Sequence, residues 1–296
     1  MSMQLSRKMK SVLDYGVFVM PALLLILITT EIPFIMNVIY AFAKWNGISR
    51  TVSFVGLKNF IELFTDDPGF WSAVWFTALF TIFHVVITNA LALLLAIFLD
   101  QHLKTKNMLR AAFFIPNILS LVVVGFMWKF IFTMGFEAFF NSSGLGFLKW
   151  SWLGEPKLAF FSLLGVSIWQ VLGFYMVIYI AGLQSVPPEI MEAAKIDGVG
   201  QFQNFYNITL PLLMPSLTVS IFLSMANSLK IFDLIFTLTN GGPGGSTISI
   251  AFDIYREAFI NNRYGYATAK SVVFFLAVLI VTVMQVRFFK SKEVEY

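Results

Sequence analysis

The sequence predicts an all-α integral membrane protein with six transmembrane helices, and three observations carry that prediction. Of its 296 residues, 58% are hydrophobic and only 12% are charged, against about 45–50% and 25% in soluble domains. A soluble core could not bury that much apolar surface, so a bilayer must cover the rest; mean hydropathy is +0.80. Six segments reach the roughly 20 apolar residues that a membrane-crossing helix needs. The 34 Phe and 7 Trp also suit lipid-facing and interfacial positions.

In chain order, the spans are expected at about residues 15–42, 70–99, 111–132, 159–183, 212–239 and 269–289. The first opens GVFVMPALLLILITT and is long enough to tilt. The basic MSMQLSRKMK before it is not expected to belong to a cleaved signal, because the apolar run is too long and lacks a small-residue cleavage site. After the first span, VGLKNFIELF places Val55, Leu57, Phe60, Ile61 and Phe64 near a helical repeat, which fits a helix lying along the interface. After the fifth, TNGGPGGST reads as a tight turn. No linker or charged tract divides the chain, so residues 1–296 are expected to form one domain.

Lys and Arg near the span ends set the expected orientation. With the N-terminus in the cytoplasm, the inner segments hold ten basic residues and the longer outer segments hold seven. Both termini are therefore expected inside, and the loop over residues 184–211 is expected to be cytoplasmic.

Several chemistries are disfavoured by the residue inventory. The absence of Cys removes disulfides, thiol catalysis and thiolate metal sites. The two His, His84 and His102, are far apart in sequence and show no metal-ligand spacing. No Gly-rich loop ends in GK[ST], so ATP is not expected to bind here in that way. A net charge of +4 is accounted for by basic residues flanking the spans rather than by nucleic-acid binding.

The loop EAAKIDGVGQFQNFYNITLPLLMP is the polar exception. Pro187 and Pro188 suit the first turn of a helix. Glu189 and Glu192 fall where the helix dipole favours negative charge. Ile190, Met191, Ala193 and Ala194 make an apolar stripe, and Gly198 is placed for a left-handed cap. Phe202, Phe205, Tyr206 and Thr209 then repeat at helical spacing, and Pro211 marks the start of span five. A helix of about eleven residues is only about 16 Å long, too short to cross. It forms either a rigid knob for a partner or an interfacial cap on the bundle.

Glu192-Ala193-Ala194, then Asp197-Gly198, then Ile208, Leu210 and Pro211 resemble the EAA loop of binding-protein-dependent ABC importer permeases. FDLIFTLTNGGPGGST, YREAF and VGLKNFIELF resemble the carbohydrate-uptake subfamily related to the maltose and glycerol-phosphate systems. The resemblance implies a type I ABC importer, maltose-permease-like fold. It makes residues 192–198 the coupling helix that docks into an ATPase subunit. It further implies a homologous second permease subunit, two ATPase subunits that carry the ATP and Mg, and an extracytoplasmic solute-binding protein. No cofactor is then expected on this chain, and no enzymatic activity.

A sugar pathway calls for aromatic faces and hydrogen-bonding side chains within the spans. Trp169, Gln170, Phe174 and Tyr175 on span four, and Ser224, Asn227 and Ser228 on span five, are the candidates. Positions matching Phe174, Ser224 and Ser228 lie near the sugar site of the maltose system, as the resemblance implies. Ser and Asn also serve as packing glue between membrane helices, the reading that fits Asn89 and Asn117 better. Lys230 is either a snorkelling cation, able to pair with Asp233, or a contact for an acidic sugar. His84 reads as a packing residue rather than a proton relay. An ion-driven transporter would call for Asp, Glu or Arg near the midplane, or broken helices around a site, and the central parts of the six spans hold none of those charges; a membrane enzyme would call for clustered His or carboxylates, which the sequence lacks. A permease of the same design for a non-sugar solute is the remaining alternative.

Overall fold

In the computed structural model, residues 16, 18–101, 104–143, 145–146 and 150–292 are described. His102 and Lys149 lie outside the described residues. The described chain gathers into two compact units: one runs to Asp66 and takes in Ile254–Val273, and the other covers Asp67–Asp253 and resumes at Phe274. The unit boundaries fall at a short turn and inside continuous helices rather than at a linker.

The first unit begins with α1 (Phe18–Tyr40), whose most apolar stretch buries nothing within the chain. A two-residue hairpin pairs β1 (Ala43–Lys44) with β2 (Ser53–Phe54), and α2 (Lys58–Thr65) follows. Asn59 ties these pieces together: its side-chain amide donates to the carbonyls of Ala41 at 2.9 Å and Ala43 at 3.0 Å. On α2, Leu63 is fully buried while Leu57, Ile61 and Phe64 are exposed. That separation gives the segment the two faces its periodicity predicts. Phe60 packs on Phe42 with ring centroids 5.2 Å apart. An ionic chain completes the unit. Arg263 pairs with Glu62 and, at 3.7 Å, with Glu257, which also lies 3.8 Å from the buried Lys270.

The second unit is built on α3 (Pro68–Asp100), α4 (Lys106–Ile118), α5 (Leu121–Phe139), α6 (Pro156–Gln184), α7 (Pro188–Ile196), α8 (Gln201–Leu212) and α9 (Met214–Leu229). α10 (Ile250–Tyr255) and α11 (Tyr264–Lys290) complete the chain. Asp67 caps α3 by accepting from the Phe70 amide at 2.8 Å. The core sits where Ala92, Ala96 and Leu99 of α3 meet Tyr175, Met176, Tyr179 and Ile180 of α6. Alanines one turn apart let the helix backbones approach. Gly173 does the same for α4, since a Cβ there would lie 2.1 Å from the Phe113 carbonyl oxygen.

Two expected spans are interrupted. Residues 111–132, read as one helix, break at Leu119, whose ψ of 140° is extended. Pro116, which cannot donate to the helix ladder, lies in the last turn before the break, and the chain closes with a short bond from the Leu119 N–H to the Pro116 carbonyl at 3.3 Å. Residues 212–239 are also not one helix. α8 and α9 meet at a 69° bend, set by Pro211 and Pro215 on either side of Leu213. α9 ends at Leu229, leaving it about 24 Å long, short of the roughly 30 Å hydrocarbon core. The chain then runs through a wide helical turn at Ile235–Thr239 into the Gly-rich turn. There the Thr247 hydroxyl donates to the Gly242 carbonyl at 2.6 Å, and the Ile250 amide donates to Thr77 Oγ1 at 3.0 Å.

Candidate functional site: a coupling loop and a polar cavity

Pro187 caps α7 and Pro188 is its first residue. Glu189 occupies the first turn and Lys195 the last, each at the dipole end that favours its charge. The helix stops in a two-bond left-handed cap. Gly198 has φ +74°; its N–H donates to the Lys195 carbonyl at 3.2 Å, and the Val199 N–H donates to Ala194 at 3.0 Å. An L side chain at Gly198 would strain that turn.

The cap fixes which side of α7 faces outward. Ala194 is buried, and the Met191 sulfur contacts the Thr209 hydroxyl at 4.0 Å. Glu192, Ala193, Ile196 and Asp197 are exposed. The expected stripe joining Ala193 to Ala194 is therefore split, because neighbouring residues lie about 100° apart on a helix. Ile196 is 86% and Phe202 77% exposed, so an apolar patch adjoins the acidic edge. Ile208, Leu210 and Pro211 are half-buried and lead from the loop toward α9.

A cavity of about 350 Å³ lies among α3, α4, α5, α6 and the end of α9, near the lower end of the range for small-ligand sites. Its polar wall is His84, Asn117, Ser167, Gln170, Asn227 and Ser228. Lys230 and Asp233 add one charge of each sign, and among the described residues they form no ion pair. The two interruptions described above build this wall. The break after Pro116 exposes Asn117 and Leu121 to the cavity, and Gln170 Nε2 donates across it to the Leu119 carbonyl at 3.4 Å. The end of α9 at Leu229 brings in residues 230–234.

Of the eight side chains singled out for substrate, Gln170, Asn227, Ser228 and Lys230 line this cavity. Trp169, Phe174, Tyr175 and Ser224 do not. Trp169 packs edge-on against Trp128 at 5.5 Å, and Phe174 rests on the core beside Tyr175. Tyr175 is 1% exposed, and its hydroxyl interacts with Asn227. Ser224 is fully buried in a hub centred on Asn89. Asn89 Oδ1 accepts from Tyr179 at 2.7 Å and from Ser220 at 2.6 Å; its Nδ2 donates to Ser224 at 2.9 Å. Position along the helix could not separate these roles, because the wall and the hub alternate on faces of α9. Asn117, read as glue, and Ser167 are wall residues instead. Pro116 beside Asn117 was the available signal.

A bundle of broken, membrane-length helices around a polar cavity, with a capped helical knob on a connecting loop, defines a membrane translocation subunit. The chain belongs to the family described as binding-protein-dependent transport system inner membrane component, whose profile matches residues 88–293. It is 40% identical over 281 residues to the probable starch degradation products transport system permease protein AmyD of Thermoanaerobacterium thermosulfurigenes, covering 95% of each chain. It is 35% identical over 277 residues to the multiple sugar-binding transport system permease protein MsmF of Streptococcus mutans, covering 94% of this chain and 95% of that one. The fold matches a chain in the crystal structure of a bacterial ABC transporter involved in import of the acidic polysaccharide alginate, with a TM-score of 0.84. That match has 21% identity and covers 97% of this chain and 99% of the other.

Proposed function

We propose that this permease forms half of the membrane pathway of an ATP-driven importer for a neutral oligosaccharide. The observation that carries the reading is the cavity wall, in which six uncharged hydrogen-bonding side chains surround one Lys and one Asp whose charges cancel. A sugar presents many hydroxyls that both donate and accept, and Asn, Gln, Ser and His can answer either role. The names of the relatives, which refer to starch degradation products and multiple sugars, support the same class.

In this reading the second half is a homologous permease, and a binding protein delivers the sugar from outside the cell. Both termini and the α7 loop face the cytoplasm, where two ATPase subunits carry the ATP and Mg. This chain binds no cofactor of its own. One ATPase takes the exposed edge of α7 formed by Glu192, Ala193, Ile196 and Asp197, and the cap at Gly198 keeps that edge rigid under load. Because a docked partner shifts a two-state element only by its differential affinity for the two states, a floppy loop would transmit little.

The test is uptake into proteoliposomes containing the complete transporter. Glu192→Lys and Gly198→Pro should each abolish ATP-driven uptake of neutral oligosaccharides while leaving membrane insertion intact. Wild-type uptake by either variant would remove the coupling assignment. Uptake that proceeds without ATP or binding protein would remove the importer reading.

A further inference from the structure

His84 sits on α3 at 2% exposure, facing the cavity. Among the described residues, neither Nδ1 nor Nε2 has a hydrogen-bond partner. A neutral imidazole carries one donor and one acceptor, and leaving each buried and unpaired costs on the order of 1–3 kcal/mol. Buried polar groups in native proteins are nearly always paired, so two orphaned atoms on one side chain need an explanation.

Packing alone does not supply one. The ring is held in a defined orientation by stacking on Phe80, with centroids 5.7 Å apart and planes 17° apart. Phe80 is itself fully buried and braced edge-on by Phe160 at 6.2 Å. A Phe or Leu would fill this space without unpaired nitrogens. Thr81 and Thr88 lie about one turn to either side on α3, and their hydroxyls are also buried without partners among the described residues. α3 therefore presents a short polar strip with unused hydrogen-bonding capacity, and His84 is its member at the cavity.

We infer that His84 is a specificity-determining substrate contact, hydrogen-bonded to a sugar hydroxyl that enters the cavity. The inference rests on the oligosaccharide reading above. It gives the stacked imidazole a fixed position from which it recognises one hydroxyl orientation, opposite the more adaptable Asn117, Gln170 and Asn227. An equatorial and an axial hydroxyl at the same ring carbon would then be discriminated.

The experiment uses the complete transporter in proteoliposomes and a fixed panel of tritiated maltotriose, raffinose, xylotriose and arabinotriose. His84→Leu should raise KM for the preferred sugar about five- to tenfold, the effect of one lost hydrogen bond, and flatten the preference across the panel. His84→Gln, which keeps a donor and an acceptor, should retain the preference and most of the affinity. Equal loss for every sugar together with a lower Tm would make His84 a packing residue and overturn the inference. So would unchanged KM values in His84→Leu, or abolished uptake in His84→Gln, the latter pointing to proton transfer with Asp233. Wild-type transporter that accumulates none of the four sugars would overturn the oligosaccharide reading itself, and this inference with it.

Discussion

Replacing Asn89 with Leu tests what holds the second unit together. Asn89 bonds α3 to α6 through Tyr179 and to α9 through Ser220 and Ser224. Leu has nearly the same size, so the substitution removes three interhelical hydrogen bonds and opens little space. Such bonds average about 0.6 kcal/mol each inside membranes, which gives about 2 kcal/mol for the three. The loss is not larger for Ser224, because its hydroxyl also donates to the Ile221 carbonyl at 3.1 Å. Tyr179 and Ser220 can fall back only on each other, which leaves one hydroxyl proton stranded and adds up to roughly 1 kcal/mol. The expected destabilisation is about 2–3 kcal/mol, read from unfolding of the purified protein by sodium dodecyl sulfate in mixed micelles. In a double-mutant cycle, Asn89→Leu and Tyr179→Phe should be less than additive by at least ~0.5 kcal/mol. A cost below that figure for Asn89→Leu, or strict additivity, would refute the hub.

Three further outcomes follow from the geometry. Gly173→Ala places a Cβ 2.1 Å from the Phe113 carbonyl oxygen and 2.7 Å from the Phe114 Cα; backbone cannot yield by changing rotamer, so α4 must shift at about 1–3 kcal/mol. Gly165→Ala, with nothing within 4 Å, is the control on the same helix, and equal Tm values for the two would defeat the argument. Lys230→Gln should leave uptake of neutral oligosaccharides within about threefold while further lowering uptake of acidic ones, because Asp233 then gives the cavity a net negative charge; a selective loss of neutral sugars would contradict the charge balance. Glu257→Gln should destabilise far more than Glu62→Gln. Glu257, 14% exposed, lies beside Lys270 at 1% and also beside Arg263, whereas Arg263 and Glu62 are 42% and 35% exposed; removing a charge from a buried cluster costs more than from an exposed pair, which is worth about 0–1 kcal/mol. Chemical denaturation of both variants compares them directly.

Membrane class and the short capped helix were legible because each rests on local physics: long apolar runs, and prolines and a glycine at fixed offsets from acidic and small residues. The interruptions after Pro116 and around Leu213 were less so, since apolar composition continues through both and only proline marks them. The division of polar side chains between wall and hub was not legible. Ser224 and Asn227 are three residues apart on one helix, yet one is fully buried against Asn89 and the other opens on the cavity. Which face a membrane helix shows to its neighbours is decided by tertiary contacts. His84 failed for the opposite reason. A lone His among apolar residues reads as paired packing, and only the folded arrangement shows that its nitrogens have no partner among the described residues.

The hub and the cavity wall share α9, and that sharing constrains how the proposed coupling works. α7 and α8 are separated only by the cap around Gly198, and α8 meets α9 at the buried Leu213. Under the proposed coupling, displacement of the loop by an ATPase would reach the cavity as rotation of α9 about that bend. At 1.5 Å per residue, a rotation of about 10° moves Ser220 by about 2 Å, Ser224 by about 3 Å and Asn227 by nearly 4 Å. Shifts of that size break hydrogen bonds, whose useful range is only a few tenths of an ångström. In that motion the wall would not move far unless the Asn89 hub let go, so the hub would act as a catch between two arrangements. Asn89→Leu removes the catch. It should raise ATP hydrolysis by the assembled transporter in the absence of sugar, while sugar moved per ATP falls. Asn89→Leu transporter with wild-type hydrolysis and an unchanged ratio of sugar to ATP would show that α9 moves without releasing the hub, and the path from loop to cavity would have to run through α6 instead.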